Sequence, residues 1–316
     1  MDNSLWAAMR QGYDNGLFNS FPMGGKNFYL DPLNGSDVSG TGSKTKPFAT
    51  LATAYAACTA GKNDTVVLVG DGATTGTARV DAAFTWSKAA THLVGVASPS
   101  LYSQRARVAN TSSTTAFANF FTVSADGCFF RNVSFLQDFA TDTTDQITMT
   151  VSGNRNVFKN VHLFGIAKGD DTGGRCLKLT GQENLFEDSV IGQDTIDRSV
   201  ANATVEFASG SARNAFRRVY FPFRATNSGV LGVIVAGAAG SDRFQLFEDC
   251  IFMNHNTTMT AISTLAASMG GFHAYVNCTL IKITGYGSDA TSRNQIYVVG
   301  NIGTAGTSGI AVAPTA

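Results

Sequence analysis

Asp142, Asp170 and Asp197 lie 28 and 27 residues apart, each in a polar segment. If the chain returns to one place every 28 residues, successive coils set these carboxylates about 5 Å apart, as in a retaining glycosidase. The same oxygens could hold Ca²⁺, and Asp-rich loops also serve as solvated turns. Arg175 and Arg198 stand close in sequence and would neutralise the aspartates as surface pairs of small energetic value. The turn reading is favoured, and the three aspartates are the only catalytic candidates that the spacing offers. Other chemistry is thinner. His92, His162, His255 and His273 show neither HxH nor HExxH spacing. There is no GxSxG, no Walker-type loop and no dinucleotide fingerprint. Cys58, Cys128, Cys176, Cys250 and Cys278 lack CxxC spacing and read as reduced, buried thiols with no zinc site. No cofactor and no metal is expected.

The elements that must position such residues are set by a repeat. Phe130, Phe158, Phe186, Phe216, Phe247 and Tyr275 recur at spacings of 28, 28, 30, 31 and 28. Val123, Val151, Leu179, Phe207 and Val235 keep a spacing of 28 throughout. After each anchor the pattern alternates as a strand does, with Val133/Phe135, Val161/Leu163, Val219/Phe221, Cys250/Phe252 and Cys278/Leu280 inward. Ser134, His162, Tyr220, Ile251 and Thr279 then point outward. A unit of 28 residues with two or three short strands cannot close its own core, so coils must stack. The fold expected is all-β, a right-handed parallel β-helix of about 28 residues per coil. Asn160, Asp188, Asp249 and Asn277, two past an anchor, and Asn156, Asn184 and Asn214, two before, follow the repeat. They read as corner ladders of side chains hydrogen-bonded between coils rather than as catalytic groups. Segments 138–146, 166–175 and 193–203 recur at one place in the coil and should share a flank, with 236–243 and 283–294 extending it.

Composition excludes several partners. Charged residues are 15% of the chain and the formal net charge is zero, so no basic face exists for nucleic acid or an anionic membrane. No segment approaches the roughly 20 apolar residues of a membrane span, and the N-terminus lacks the basic start of a signal peptide.

The chain opens with Asn27-Phe28-Tyr29-Leu30-Asp31-Pro32, then Asn34-Gly35-Ser36-Asp37, Lys46-Pro47-Phe48-Ala49-Thr50-Leu51 and Thr65-Val66-Val67-Leu68-Val69-Gly70. This resembles the entry to pectate-lyase-like β-helix proteins, among them polysaccharide lyases and hydrolases and the spikes and decorations of tailed bacteriophages. The resemblance implies a cap over 27–64 with a helix from Phe48 to Thr59 facing Leu51, Tyr55 and Cys58 inward, then coils over 65–316. Residues 1–26 form an arm whose Trp6, Tyr13 and Phe18 are of the types that anchor interfaces.

The pattern also resembles proteins of phage morphogenesis modules. The function expected from that likeness is a non-enzymatic virion protein, a capsid decoration made in the host cytoplasm. It would assemble as a homotrimer on viral capsid proteins. The alternative is a tailspike or polysaccharide depolymerase acting on a host surface glycan.

Overall fold

The computed structural model describes residues 25–71, 73–97, 106–111, 117–137, 146–165, 168–226, 232–256, 259, 261–266, 268–287 and 295–300. The interface candidates Trp6, Tyr13 and Phe18 and the aspartate Asp142 lie outside these residues. Among the described residues, three parallel sheets of ten, seven and eight strands enclose one apolar interior, and neighbours within each sheet come from successive coils. One coil shows the plan. Ile147–Val151 lies on the seven-stranded sheet, Val157–Lys159 on the ten-stranded sheet and His162–Leu163 on the eight-stranded sheet. The chain then loops back to Arg175–Leu179 of the next coil, pairing Met149 with Leu177. This is the expected parallel β-helix.

The aromatic anchors are stacked as the spacing predicts. Phe130, Phe158, Phe186, Phe216, Phe247 and Tyr275 are fully buried. Their rings stand 4.4–5.0 Å apart and within 12° of parallel. The second column departs from its strict period. Val123, Val151, Leu179 and Phe207 pair in turn, but Phe207 pairs with Ala236, while Val235 pairs with Glu206. One added residue shifts the strand face, because strand side chains alternate with a period of two. Segment 236–243 is likewise corrected: it joins Gly232–Ala236 of the seven-stranded sheet to Phe244–Glu248 of the ten-stranded sheet, away from the expected flank. Ile283 and Gly287 pair with Met259 and Ser263 on that flank.

The corner between the ten- and eight-stranded sheets is a sharp turn. Asn132, Asn160, Asp188, Arg218, Asp249 and Asn277 each carry φ between 50° and 55°. Asn and Asp tolerate this left-handed conformation, and Arg218 is held in it by bonds to Asp188 and Glu187. This backbone requirement, more than amide stacking, explains the polar residues two past each anchor. Stacking adds to it at one step, where the Asn160 amide donates to Asn132 at 2.9 Å.

The ladder two before each anchor is a true chain of bonds. Asn156 accepts from the Cys128 N–H, Asn184 from that of Asn156, and Asn214 from that of Asn184, at 2.8, 2.9 and 2.9 Å. Gln245 and His273 continue it past the point where the sequence stops reading Asn, through Asn214–Gln245 and Gln245–Ser241–His273 bonds. Asn156, Asn184, Asn214 and Gln245 accept from corner N–H groups that are buried from water.

The cap helix runs from Leu51 to Ala57, shorter than expected. Thr50 caps it and is itself held by the Asp37 carboxylate, so the segment from Phe48 to Thr50 is fixed outside the helix. Leu51, Ala54, Tyr55 and Cys58 close the end of the core, with Tyr55 4.4 Å from the buried Trp86 ring. Lys88 donates to the carbonyls of Tyr55, Ala56 and Cys58, a cation at the helix C-terminus.

Candidate functional site

The expected carboxylate stack is not what the flank presents. Asp170 is exposed beside Lys168, at 3.7 Å. Asp197 is bonded to Arg224 and accepts from Asn256 at 3.3 Å. The residue packed on the Asp197 backbone is Gly169 rather than Asp170. Arg175 and Arg198 do not neutralise these aspartates as expected. Arg175 pairs with Glu206 at 3.1 Å, and the buried Arg198 donates to Asn202 and Thr204. Asn202 in turn donates to the carbonyls of Gly169 and Asp171, so these side chains tie the loops 168–175 and 193–203 to the seven-stranded sheet.

A different cluster forms where the eight-stranded sheet runs into its loops. The outward row of that sheet is His162, Val190, Tyr220, Ile251 and Thr279. Ser134 and His162 face outward as expected yet are fully buried. Beyond them the face opens. The Tyr220 hydroxyl lies 2.9 Å from Nε2 of His255 and 3.3 Å from Sδ of Met253. Oδ2 of Asp194 stands 3.8 Å from the same His255 nitrogen. Three successive coils thus converge a phenol, an imidazole and a carboxylate at a half-buried place.

Local backbone explains the convergence. Gly192 has φ of 120°, and a Cβ there would stand 2.3 Å from the Pro222 carbonyl. Only glycine fits, and the chain beyond it delivers Asp194. Nε2 of His162 donates to the Gly192 carbonyl at 3.1 Å, and the His162 ring stacks on Phe164. Two coils on, buried Asn254 accepts from the N–H groups of Ala225 and Asn256, and the His255 N–H donates to the Phe223 carbonyl. These bonds turn the chain so that His255 faces back to Tyr220. Beside the cluster lie Arg224, held by Asp197, and Lys282, which donates to the Asn256 carbonyl at 3.2 Å.

Burial, then the Asp194 charge, holds the Tyr220 hydroxyl above its usual pKa, so the phenol keeps its proton at neutral pH. The other histidines are of a different kind. Burial pushes His162 and His92 down to about 4 and His273 to about 3. They are neutral hydrogen-bonding groups of the scaffold. The five cysteines are free and buried, as expected. Among the described residues no three His, Cys, Asp or Glu side chains gather as metal ligands. On the seven-stranded sheet Glu206 is occupied by both Arg175 and Lys178.

Spacing rules missed Tyr220 and His255 because they lie on different coils, 35 residues apart. The signal available was the outward row itself, in which Tyr220 occupies the place of His162 and Val190.

No protein-family model and no curated protein matches the sequence. Solved structures share the fold. Pectin methylesterase PemA from Erwinia chrysanthemi superposes with a TM-score of 0.56 at 14% identity, over 92% of this chain and 93% of that one. A pectin methylesterase in complex with a hexasaccharide gives 0.53 at 16% identity, again over 92% and 93%. A pectate lyase gives 0.51 at 13% identity, over 90% and 81%. These likenesses correct the expectation that the chain is not an enzyme: the three solved structures are named as pectin methylesterases and a pectate lyase, and what they share with this chain is the fold. The chain has the architecture of right-handed β-helix proteins of the pectin methylesterase and pectate lyase kind.

Proposed function

We propose that this chain is a polysaccharide-processing enzyme whose proton-transfer centre is Tyr220, His255 and Asp194. The observation that carries the reading is the approach of the Tyr220 hydroxyl and the Asp194 carboxylate to one nitrogen of His255, at 2.9 and 3.8 Å. A phenol and an imidazole that share a proton can remove one from carbon and return one to a leaving oxygen. The reaction this suits is β-elimination in a glycan whose reacting carbon lies next to a carboxyl group. Tyr220 oxygen takes the C–H proton as its own passes to His255. The C–O bond to the neighbouring sugar breaks as the C=C bond forms, and the imidazolium protonates the departing oxygen. Asp194 stabilises the imidazolium, and Lys282 offers positive charge to the substrate carboxylate. Hydrolysis by paired carboxylates is less well served, since Asp197 is tied to Arg224 and Asn256.

The test is a panel of acidic and neutral polysaccharides, including pectin, pectate and bacterial surface glycans, followed for new reducing ends and for unsaturated product. His255→Ala should lower turnover by about 10²–10⁴-fold, the usual weight of general acid–base catalysis. A well-folded protein that releases neither product from any glycan, or whose His255→Ala form is as active as the parent, overturns the reading.

A further inference from the structure

The one hydroxyl proton of Tyr220 faces Nε2 of His255 at 2.9 Å and Sδ of Met253 at 3.3 Å, and Oδ2 of Asp194 stands 3.8 Å from the same Nε2. Two arrangements satisfy these contacts. In one the phenol donates to Nε2, which is then the unprotonated, basic nitrogen. In the other Nε2 carries a proton and donates to the phenol oxygen, while the phenol donates to sulfur. A thioether is a weak acceptor, so the first arrangement is favoured. We propose that Met253 is a positioning residue of this site whose oxidation state decides between the two, and so makes the site sensitive to peroxides. This inference rests on the catalytic reading of Tyr220 and His255.

Met253 lies on the outer face of Ile251–Asn254 and is half-buried, within reach of a small oxidant. Met149 is fully buried and Met269 nearly so, inside the core. A hydroperoxide transfers one oxygen to the thioether. The S–O bond forms as the O–O bond breaks, sulfur loses two electrons to the peroxide, and water or an alcohol leaves. The sulfoxide oxygen is a strong, polar acceptor in place of a weak one. It draws the Tyr220 proton to itself, and His255 must then hold a proton on Nε2 to keep its bond to the phenol oxygen. The basic nitrogen is lost while every residue of the cluster stays in place. A methionine sulfoxide reductase reverses the change.

The experiment treats the full chain with dilute hydrogen peroxide and maps oxidised methionines by peptide mass. The His255 ring nitrogens are read by NMR at fixed pH, with no substrate needed. Oxidation at Met253 should move Nε2 from an acceptor-type to a protonated-type resonance, and reductase treatment should restore it. Turnover, where a glycan substrate has been found, should fall at least about tenfold and recover with it. Met253→Leu should show neither response. The inference is overturned if Met253 resists oxidation in folded protein, if its sulfoxide leaves the Nε2 resonance unmoved, or if Met253→Leu responds as the parent does. Failure to find any substrate would count against the proposed function alone, because the NMR comparison decides the role of Met253 without one.

Discussion

The two corners that flank the eight-stranded sheet differ in kind. Toward the ten-stranded sheet the chain turns through one left-handed residue in coil after coil, and the charges beside it answer one another. Lys159 meets Glu187 and Asp188, while Arg218 meets Glu187 and Asp188 from the other side. Toward the seven-stranded sheet the loops vary in length and residue type. There Asp194, Tyr220, Met253 and His255 meet, none of them at a position the repeat fills with its own type. Stacking favours residues that satisfy their copies above and below. Groups left to face something else collect where the repeat is least strict, and that is where chemistry is to be sought.

Four measurements would break or sharpen this contrast. Acidification has the largest expected effect, and it reaches the loop side through His162 and the ladder before the anchors through His273. His92, His162 and His273 stay neutral when folded down to about 4, 4 and 3, whereas unfolded imidazoles protonate near pH 6.5. The unfolded chain therefore binds more protons below that pH. Stability present at pH 7 falls as pH drops from about 6.5 toward 4, by up to ~2 kcal/mol for each imidazole at pH 5. Urea midpoints at pH 7 and 5 check this. His273→Gln and His162→Gln divide the loss between the Asn214–Gln245–His273 ladder and the loop side.

Phe186→Ala comes next. It removes a ring from the middle of the stacked column and should cost about 3–5 kcal/mol in denaturant unfolding. Phe158 and Phe216, its stacking neighbours, are left facing a cavity.

Gly192→Ala should cost about 1–3 kcal/mol, because the backbone is left-handed and the Pro222 carbonyl occupies the space. Its sharper readout is local: Asp194 is displaced, so the environment of His255 changes by NMR even where the column is intact. The smallest effect belongs to the regular corner's surface. Lys159→Met removes part-buried pairings whose carboxylates keep Arg218, so it should cost about 1 kcal/mol or less and leave any turnover unchanged.

Much of this was legible in the sequence because the repeat writes itself there. A column that must stack every coil leaves Phe at Phe130, Phe158 and Phe186 in the same phase, and the spacing alone reads it. The Asn ladder was legible up to Asn214; Gln245 then takes its role with a longer amide, and His273 ends it through Ser241. Val235 misled because one inserted residue turns a strand over, and a constant interval looks the same whether or not the register has slipped. The site was the least legible part. Asp142, Asp170 and Asp197 kept the period, but Asp170 and Asp197 carry different partners, Lys168 for one and Arg224 with Asn256 for the other. Tyr220 and His255 have no fixed sequence interval to betray them; their meeting depends on Gly192 and Asn254, whose demands are backbone geometry and a buried amide.

The central claim is that the irregular loop side of the eight-stranded sheet carries the chemistry through Tyr220 and His255. Its most direct measurement is glycan turnover by Tyr220→Phe, which deletes one oxygen and keeps the ring, set against the parent and Asp170→Asn at matched unfolding midpoints. A loss of at least about 100-fold is expected for Tyr220→Phe and little change for Asp170→Asn. Parent-like turnover by Tyr220→Phe, with the loss falling on Asp170→Asn, would contradict it.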